Sequence, residues 1–188
     1  NLYNPQAGNI YIDGLEIRQL DPADLRAHLS YVPQNAMLFK GTLRENLLMA
    51  NPHATDEQLL AAAEMSGVMD FARRHPMGFD MPIGEMGTGL SSGQKQAVGI
   101  ARGILRAGDV VVLDDPTSEM DNRSEEWIKQ NMAKWTQGKT MILITHRAPM
   151  LELVDRLIVM DYGRIIADGP KDDVLKALRS GQMKAAQA

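Results

Sequence analysis

Val110-Val111-Val112-Leu113-Asp114-Asp115 decides the fold. A short, wholly apolar run of this kind predicts a strand buried inside a sheet. A second run, Met141-Ile142-Leu143-Ile144, follows after a segment over 122–137 that reads as helix. Strand, helix, strand with both strands wholly apolar predicts a parallel sheet covered on both faces. The two carboxylates stand just past the carboxyl end of the first strand, where open α/β sheets bind ligands. A hard divalent cation takes oxygen ligands beside phosphate, so Asp114 and Asp115 mark a Mg-nucleotide position. The same pair also reads as a polar turn closing an ordinary strand.

Upstream of that run, Leu90-Ser91-Ser92-Gly93-Gln94 opens a helix expected to end near Gly108. Backbone N–H groups and the macrodipole at a helix N-terminus favour an anion, and phosphate is the natural one. A plain serine N-cap is the competing reading. Gly84, Gly87, Gly89 and Gly93, crowded ahead of this helix, weigh against a cap alone. Thr42-Leu43-Arg44-Glu45 and Thr55-Asp56-Glu57-Gln58 match the capping box and set helix starts at Thr42 and Thr55. Residues 59–75 keep apolar side chains at helical spacing with one break at Ser66-Gly67. The N-terminal side predicts a hairpin around Asp13-Gly14. A short helix capped by Asp21 and a buried strand over 29–32 that ends at Pro33-Gln34 follow it. Gln34 either offers its amide carbonyl to a metal or closes a turn. Downstream, His146 sits at the exit of the second apolar run, where it contacts phosphate, orients a water, or serves as a surface or cap residue. Asp161-Tyr162-Gly163 reads as a turn between two strands, Gly169-Pro170 as the opening of a last helix to about Leu178, and the end from Ser180 as a fraying tail.

The 188 residues suffice for one domain with its own core. Cysteine is absent, which excludes disulfides and thiolate metal sites and fits a reducing compartment. No apolar run approaches the roughly 18 residues of a membrane span, so a membrane link has to come through a partner or a segment outside these residues. Net charge is −4 and the basic residues are scattered, which argues against a nucleic-acid partner.

Taken in order, Gln34, Leu90 to Gln94, Asp114-Asp115, Ser118 to Asp121 and His146 resemble the ABC ATPase family. There these segments are the Q-loop, signature motif, Walker B strand, D-loop and switch histidine. The resemblance runs from Leu2-Tyr3-Asn4-Pro5 to Gly163-Arg164-Ile165-Ile166. It implies an α/β, P-loop NTPase-like ABC ATPase fold with a mostly parallel core sheet and an inserted helical signature subdomain at about 42–107, the domain covering 1–180 and a flexible tail 181–188. ATP and Mg2+ are the implied cofactors. By resemblance Asp114 and Gln34 serve the metal, Asp115 polarises the attacking water and His146 senses the γ-phosphate. The signature residues Leu90, Ser91, Ser92, Gly93 and Gln94 face a nucleotide held by a second such domain in a head-to-tail dimer. Ser118 and Asp121 belong to the D-loop, and Asp121 reads equally as an N-cap. The stretch from Gln34 to Asn46 looks like the exporter segment on which a transmembrane permease docks, which implies a place on the cytoplasmic face of the inner membrane. Asp115-Pro116-Thr117-Ser118 and Asp168-Gly169-Pro170-Lys171 are most similar to exporters of type I protein secretion.

Four departures qualify the resemblance. The family's phosphate loop, G-x-x-G-x-G-K-S/T, does not occur in these 188 residues, so the chain by itself is expected to bind ATP poorly. Asp115 stands where the family has glutamate, one methylene or roughly 1.5 Å shorter. Ser92 replaces the first signature glycine, and Glu119 replaces a small D-loop residue. The lost loop and Asp115 favour a degenerate or regulatory subunit as the alternative reading; a nucleic-acid-associated ABC ATPase is a further one.

Overall fold

A computed structural model describes residues 4–180. Their contacts group into two compact units that meet in sequence at His146 and Arg147.

The first unit opens with the expected hairpin. Strand β1 (Tyr11–Ile12) pairs antiparallel with β2 (Leu15–Glu16). Asp13 and Gly14 between them both have positive φ, as the tight primed turn requires. Asp21 accepts from the Ala23 N–H and starts α1 (Pro22–Ala27), whose proline occupies a position with no helical N–H to lose. Three parallel strands follow in the order β3 (Leu29–Val32), β6 (Val110–Asp114), β7 (Thr140–Ile144). Between β3 and β6 lie β4 (Gly41–Thr42), α2 (Leu43–Leu48), α3 (Asp56–Ser66), α4 (Val68–Ala72), β5 (Pro82–Ile83) and α5 (Ser92–Arg106). Both threonine capping boxes form, and the break expected at Ser66-Gly67 is Gly67 in the left-handed conformation. These helices share a core that includes Leu38, Leu43, Leu47, Leu59, Val68 and Val98, all essentially fully buried. Each such side chain contributes about 1.5–3 kcal/mol relative to exposure.

Helix α5 crosses β3 so closely that a Cβ on Gly103 would stand 2.5 Å from Val32 and 3.1 Å from Trp135 of α6 (Asn122–Trp135). Both helices therefore cover one face of the sheet, the face of Ser30, Val32, Val111 and Leu113. Among the described residues, the expectation of a sheet covered on both sides is met on this face. On the other face Tyr31, Ile142 and Ile144 are each about half exposed, at 52%, 51% and 51%. The reason is topological: the strand order advances in one direction, and right-handed crossovers stepping in one direction lie on one side.

The second unit is an antiparallel hairpin, β8 (Arg156–Asp161) with β9 (Arg164–Pro170), followed by α7 (Lys171–Arg179), which buries Val174. The turn at Tyr162 and Gly163 again has two positive φ values. Gly169 and Pro170 both finish the strand, and Pro170 is also the N-cap that opens the helix at Lys171. Arg156 and Asp168 form a two-pronged ion pair across this hairpin at 2.6 and 2.7 Å. The tail 181–188 lies outside the described residues.

Candidate functional site

In the parallel ladder Val32 lies opposite Leu113, and Asp114 lies opposite Ile144. The carboxyl ends of all three strands thus share one rim, and the chain leaves that rim at Gln34, Asp115 and His146. Gln34 is exposed there. Asp114 is the last residue of β6, and its Oδ2 accepts from the Tyr31 hydroxyl at 3.4 Å. Partial burial first, and the Asp114 carboxylate second, push that hydroxyl above its ordinary pKa. Sequence reading passed over Tyr31. Its signal was register, since Tyr31 pairs with Val112 and so shares a face with Asp114.

Asp115 opens the polar turn after β6 with its carboxylate buried. Its side chain is 8% exposed, and its backbone has φ 44°. Its N–H donates to the Ile144 carbonyl at 2.8 Å, and its Oδ1 accepts from the His146 N–H at 3.1 Å. The His146 imidazole is 91% exposed, with Nε2 3.7 Å from Asp115 Oδ2. The carboxylate thereby ties the exit of β6 to the exit of β7.

Two further polar groups hold the turn 115–119, and neither was singled out in the sequence. Gln96 of α5, 3% exposed, donates from Nε2 to the Asp115 carbonyl at 3.0 Å and to Ser118 Oγ at 2.9 Å, while its Oε1 accepts from the Glu119 N–H at 3.1 Å. Buried Thr117 donates from Oγ1 to buried Glu125 of α6 at 2.9 Å. The available signal for Gln96 was its place on the apolar stripe of α5, in line with Ile100 and Gly103.

Ser91 caps α5: its Oγ accepts from the Gln94 N–H at 3.2 Å, and Gln94 Oε1 accepts from the Ser91 N–H at 2.9 Å. Ser91 and Ser92 are exposed and Leu90 is buried. A Cβ on Gly93 would meet the Glu119 carbonyl oxygen at 3.2 Å, so the serine turn lies against the turn 115–119. Asp121 caps α6, accepting from the Arg123 and Ser124 N–H groups at 3.0 Å and from Ser124 Oγ at 2.8 Å. The Ser124 backbone bond, followed by its hydroxyl, holds the Asp121 carboxyl below its ordinary pKa.

In the stretch 34–46, Leu38 is buried while Met37, Phe39 and Lys40 are exposed and line a shallow groove with Glu85 and Met86. Asn46 holds this stretch from behind through the Phe39 N–H and carbonyl and the Thr42 carbonyl. The Arg102 guanidinium, its pKa lowered by burial, braces Asn46 and the Met37 carbonyl. No group of three or more His, Cys, Asp or Glu poised to hold a metal occurs among the described residues. No helix there is long and apolar enough to cross a membrane.

The rim thus presents an acidic pair and a strand-exit histidine beside a serine-capped helix, and the chain belongs to the ABC transporter family, whose family model matches residues 1–118. Among its relatives, an ATP-dependent lipid A-core flippase of Neisseria gonorrhoeae is 39% identical over 171 residues, 91% of this chain and 28% of that protein. The leukotoxin export ATP-binding protein LtxB of Aggregatibacter actinomycetemcomitans is 37% identical over 174 residues, 93% of this chain and 25% of that protein. Among solved structures, a bacterial Atm1-family ABC exporter with ATP bound superposes with a TM-score of 0.90 at 34% identity, covering 98% of this chain and 33% of that one. The chain thus spans about 30% of the length of such relatives.

Proposed function

We propose that these residues are the nucleotide-handling part of an ABC exporter, in which ATP hydrolysis drives export, in the type I secretion branch, of a protein or peptide. The observation that supports this most is the shared rim: Asp114, Asp115 and His146 leave neighbouring parallel strands at one end, and the exposed Ser91–Ser92 turn backs onto the loop between them.

The donor set suits a magnesium nucleotide. Asp114 offers a carboxylate at the rim and Gln34 an amide carbonyl, both hard oxygens. With no three-residue cage among the described residues, the remaining ligands would be phosphate oxygens and water. Bound there, Mg2+ supplies charge neutralisation for phosphoryl transfer. Asp115 accepts a proton from water as that oxygen bonds to the γ-phosphorus; the bond to the bridging oxygen breaks, giving ADP and phosphate. His146, with its imidazole in solvent, contacts the γ-phosphate. Ser91 and Gly93 serve a nucleotide bound by a second copy in a head-to-tail dimer, and Ser118 and Asp121 line the contact between copies. The groove of Met37, Phe39 and Met86 receives a permease segment and links the ATPase to the membrane.

The phosphate cradle itself has no counterpart in these 188 residues, so this chain alone acts on a nucleotide held by other groups. Titrating the isolated chain with a fluorescent ATP analogue is expected to show no saturation at micromolar concentrations, whereas the full-length protein in lipid vesicles hydrolyses ATP only with Mg2+. Micromolar binding by the isolated chain, or Mg-independent turnover, would overturn the scheme. Burial of the Asp115 carboxylate against the His146 amide favours a second reading, a slow or regulatory subunit that holds ATP more than it hydrolyses it.

A further inference from the structure

Gln96 is a neutral amide placed where α5 otherwise turns an apolar stripe to the core, and both its donors and its acceptor are used. All three partners lie in one short turn, at Asp115, Ser118 and Glu119, 19 to 23 residues further along the chain. That turn carries the acid whose backbone sits in the left-handed region, a conformation a non-glycine residue keeps only when its surroundings hold it there. A second contact acts between the same two segments: the missing side chain of Gly93 lets α5 approach the Glu119 carbonyl oxygen. The first turn of α5 and the turn 115–119 are therefore one mechanical piece, bonded through Gln96 and packed through Gly93.

We propose that Gln96 is a positioning residue that makes the serine turn at the start of α5 and the Asp115–Ser118 acid turn move together, so that a phosphate seated at Ser91 sets the Asp115 carboxylate for its water. This rests on the ATPase reading above. The amide suits the task because no other side chain of its size donates twice and accepts once without charge. Glutamate keeps the shape and loses both donors, so the bond to the Asp115 carbonyl becomes a lone-pair contact and the one to Ser118 survives only if that hydroxyl turns to donate. Methionine keeps the approximate volume and loses all three bonds. Neither variant opens a large cavity, so a folded protein remains to be measured.

The experiment compares Gln96→Glu and Gln96→Met with wild type in the full-length protein in lipid vesicles, reading ATPase kinetics and hydrogen exchange together. Both variants are expected to lower kcat about 10- to 100-fold, the range that displacement of a catalytic group by about 1 Å produces, while the KM for ATP stays within about twofold. Without nucleotide, the amides of 115–121 are expected to exchange roughly tenfold faster in the variants, with the interiors of α5 and α6 unchanged. A wild-type kcat in Gln96→Met overturns the proposal. So does a loss of kcat accompanied by faster exchange throughout both helices, which marks general loosening. If wild type hydrolyses no ATP, the ATPase reading fails, and the exchange of 115–121 still decides whether Gln96 holds the turn.

Discussion

Asp115 has a shorter side chain than the glutamate it replaces, yet the more consequential difference is where its backbone puts it. At φ 44° the chain turns the carboxylate back over the sheet rim, where the His146 N–H takes one oxygen. Aspartate tolerates this left-handed conformation better than most non-glycine residues. Asp115→Glu therefore has two opposed effects. The added methylene carries the carboxylate outward by roughly 1.5 Å, toward the space above the rim. The backbone loses a residue suited to its conformation, at about 1 kcal/mol. In the full-length protein we expect Asp115→Glu to raise kcat for ATP by about tenfold or more while lowering the unfolding temperature, and Asp115→Asn to lower kcat at least about 100-fold. Steady-state ATPase assays with thermal unfolding check both. An Asp115→Glu variant no faster than wild type would show that reach is not what limits this acid. Asp114, Asp115 and His146 were legible because each follows an apolar run, a local pattern. Gln96, Tyr31, Thr117 and Glu125 were not, because each matters through a partner at least eight residues away. The apolar stripe of α5 marks Gln96 as a buried amide, but nothing within the helix names the turn that it holds.

The same contrast appears among the elements. Caps depend on residues three apart, so the starts of α2 and α3 were readable from Thr42 and Thr55 with their partners Glu45 and Gln58, while the third box, Ser91 with Gln94 on α5, was read only as a plain serine cap. The two-residue ladder of Gly41–Thr42 with Pro82–Ile83 was not, since its halves lie about forty residues apart and neither has strand-forming length. Asp121 is the cap with a measurable pH signature. Its folded-state pKa is depressed, chiefly by the Ser124 backbone N–H and hydroxyl, so its contribution is complete above the unfolded-state value and is lost as pH falls through the folded-state value. The affected window therefore lies below about pH 3.9, the ordinary aspartate value. Asparagine caps nearly as well and does not titrate. Denaturant unfolding followed by circular dichroism is expected to give Asp121→Asn nearly wild-type stability at neutral pH and a shallower loss of stability below about pH 3.9 than wild type. Parallel acid curves for the two proteins would mean that the cap bonds do not distinguish the charged from the neutral carboxyl.

At the largest scale, the decisive fact is that among the described residues the three-stranded sheet steps in one direction only. Both crossovers consequently stack on one side, and the other face keeps Tyr31, Ile142 and Ile144 about half in water. Strand β7 is also an edge, with β6 its only strand neighbour among the described residues, so its outer backbone groups have no ladder to join there. An open apolar face beside a free edge is the combination that lets one chain template another. The sequence pointed the other way, because the unbroken apolar run Met141-Ile142-Leu143-Ile144 reads as a strand covered on both faces. The isolated 188-residue chain is accordingly expected to self-associate as its concentration rises, with light scattering increasing and an apolar-surface dye bound. Replacing Ile142 by Thr and Ile144 by Lys should reduce both signals. Threonine keeps the branching that favours strands, and lysine places a charge on the edge without touching the buried face of Val111 and Leu113. If the doubly substituted chain scatters as strongly as the original, association runs through another surface, and the half-exposed Tyr11 and Leu15 of the N-terminal hairpin are the next to substitute.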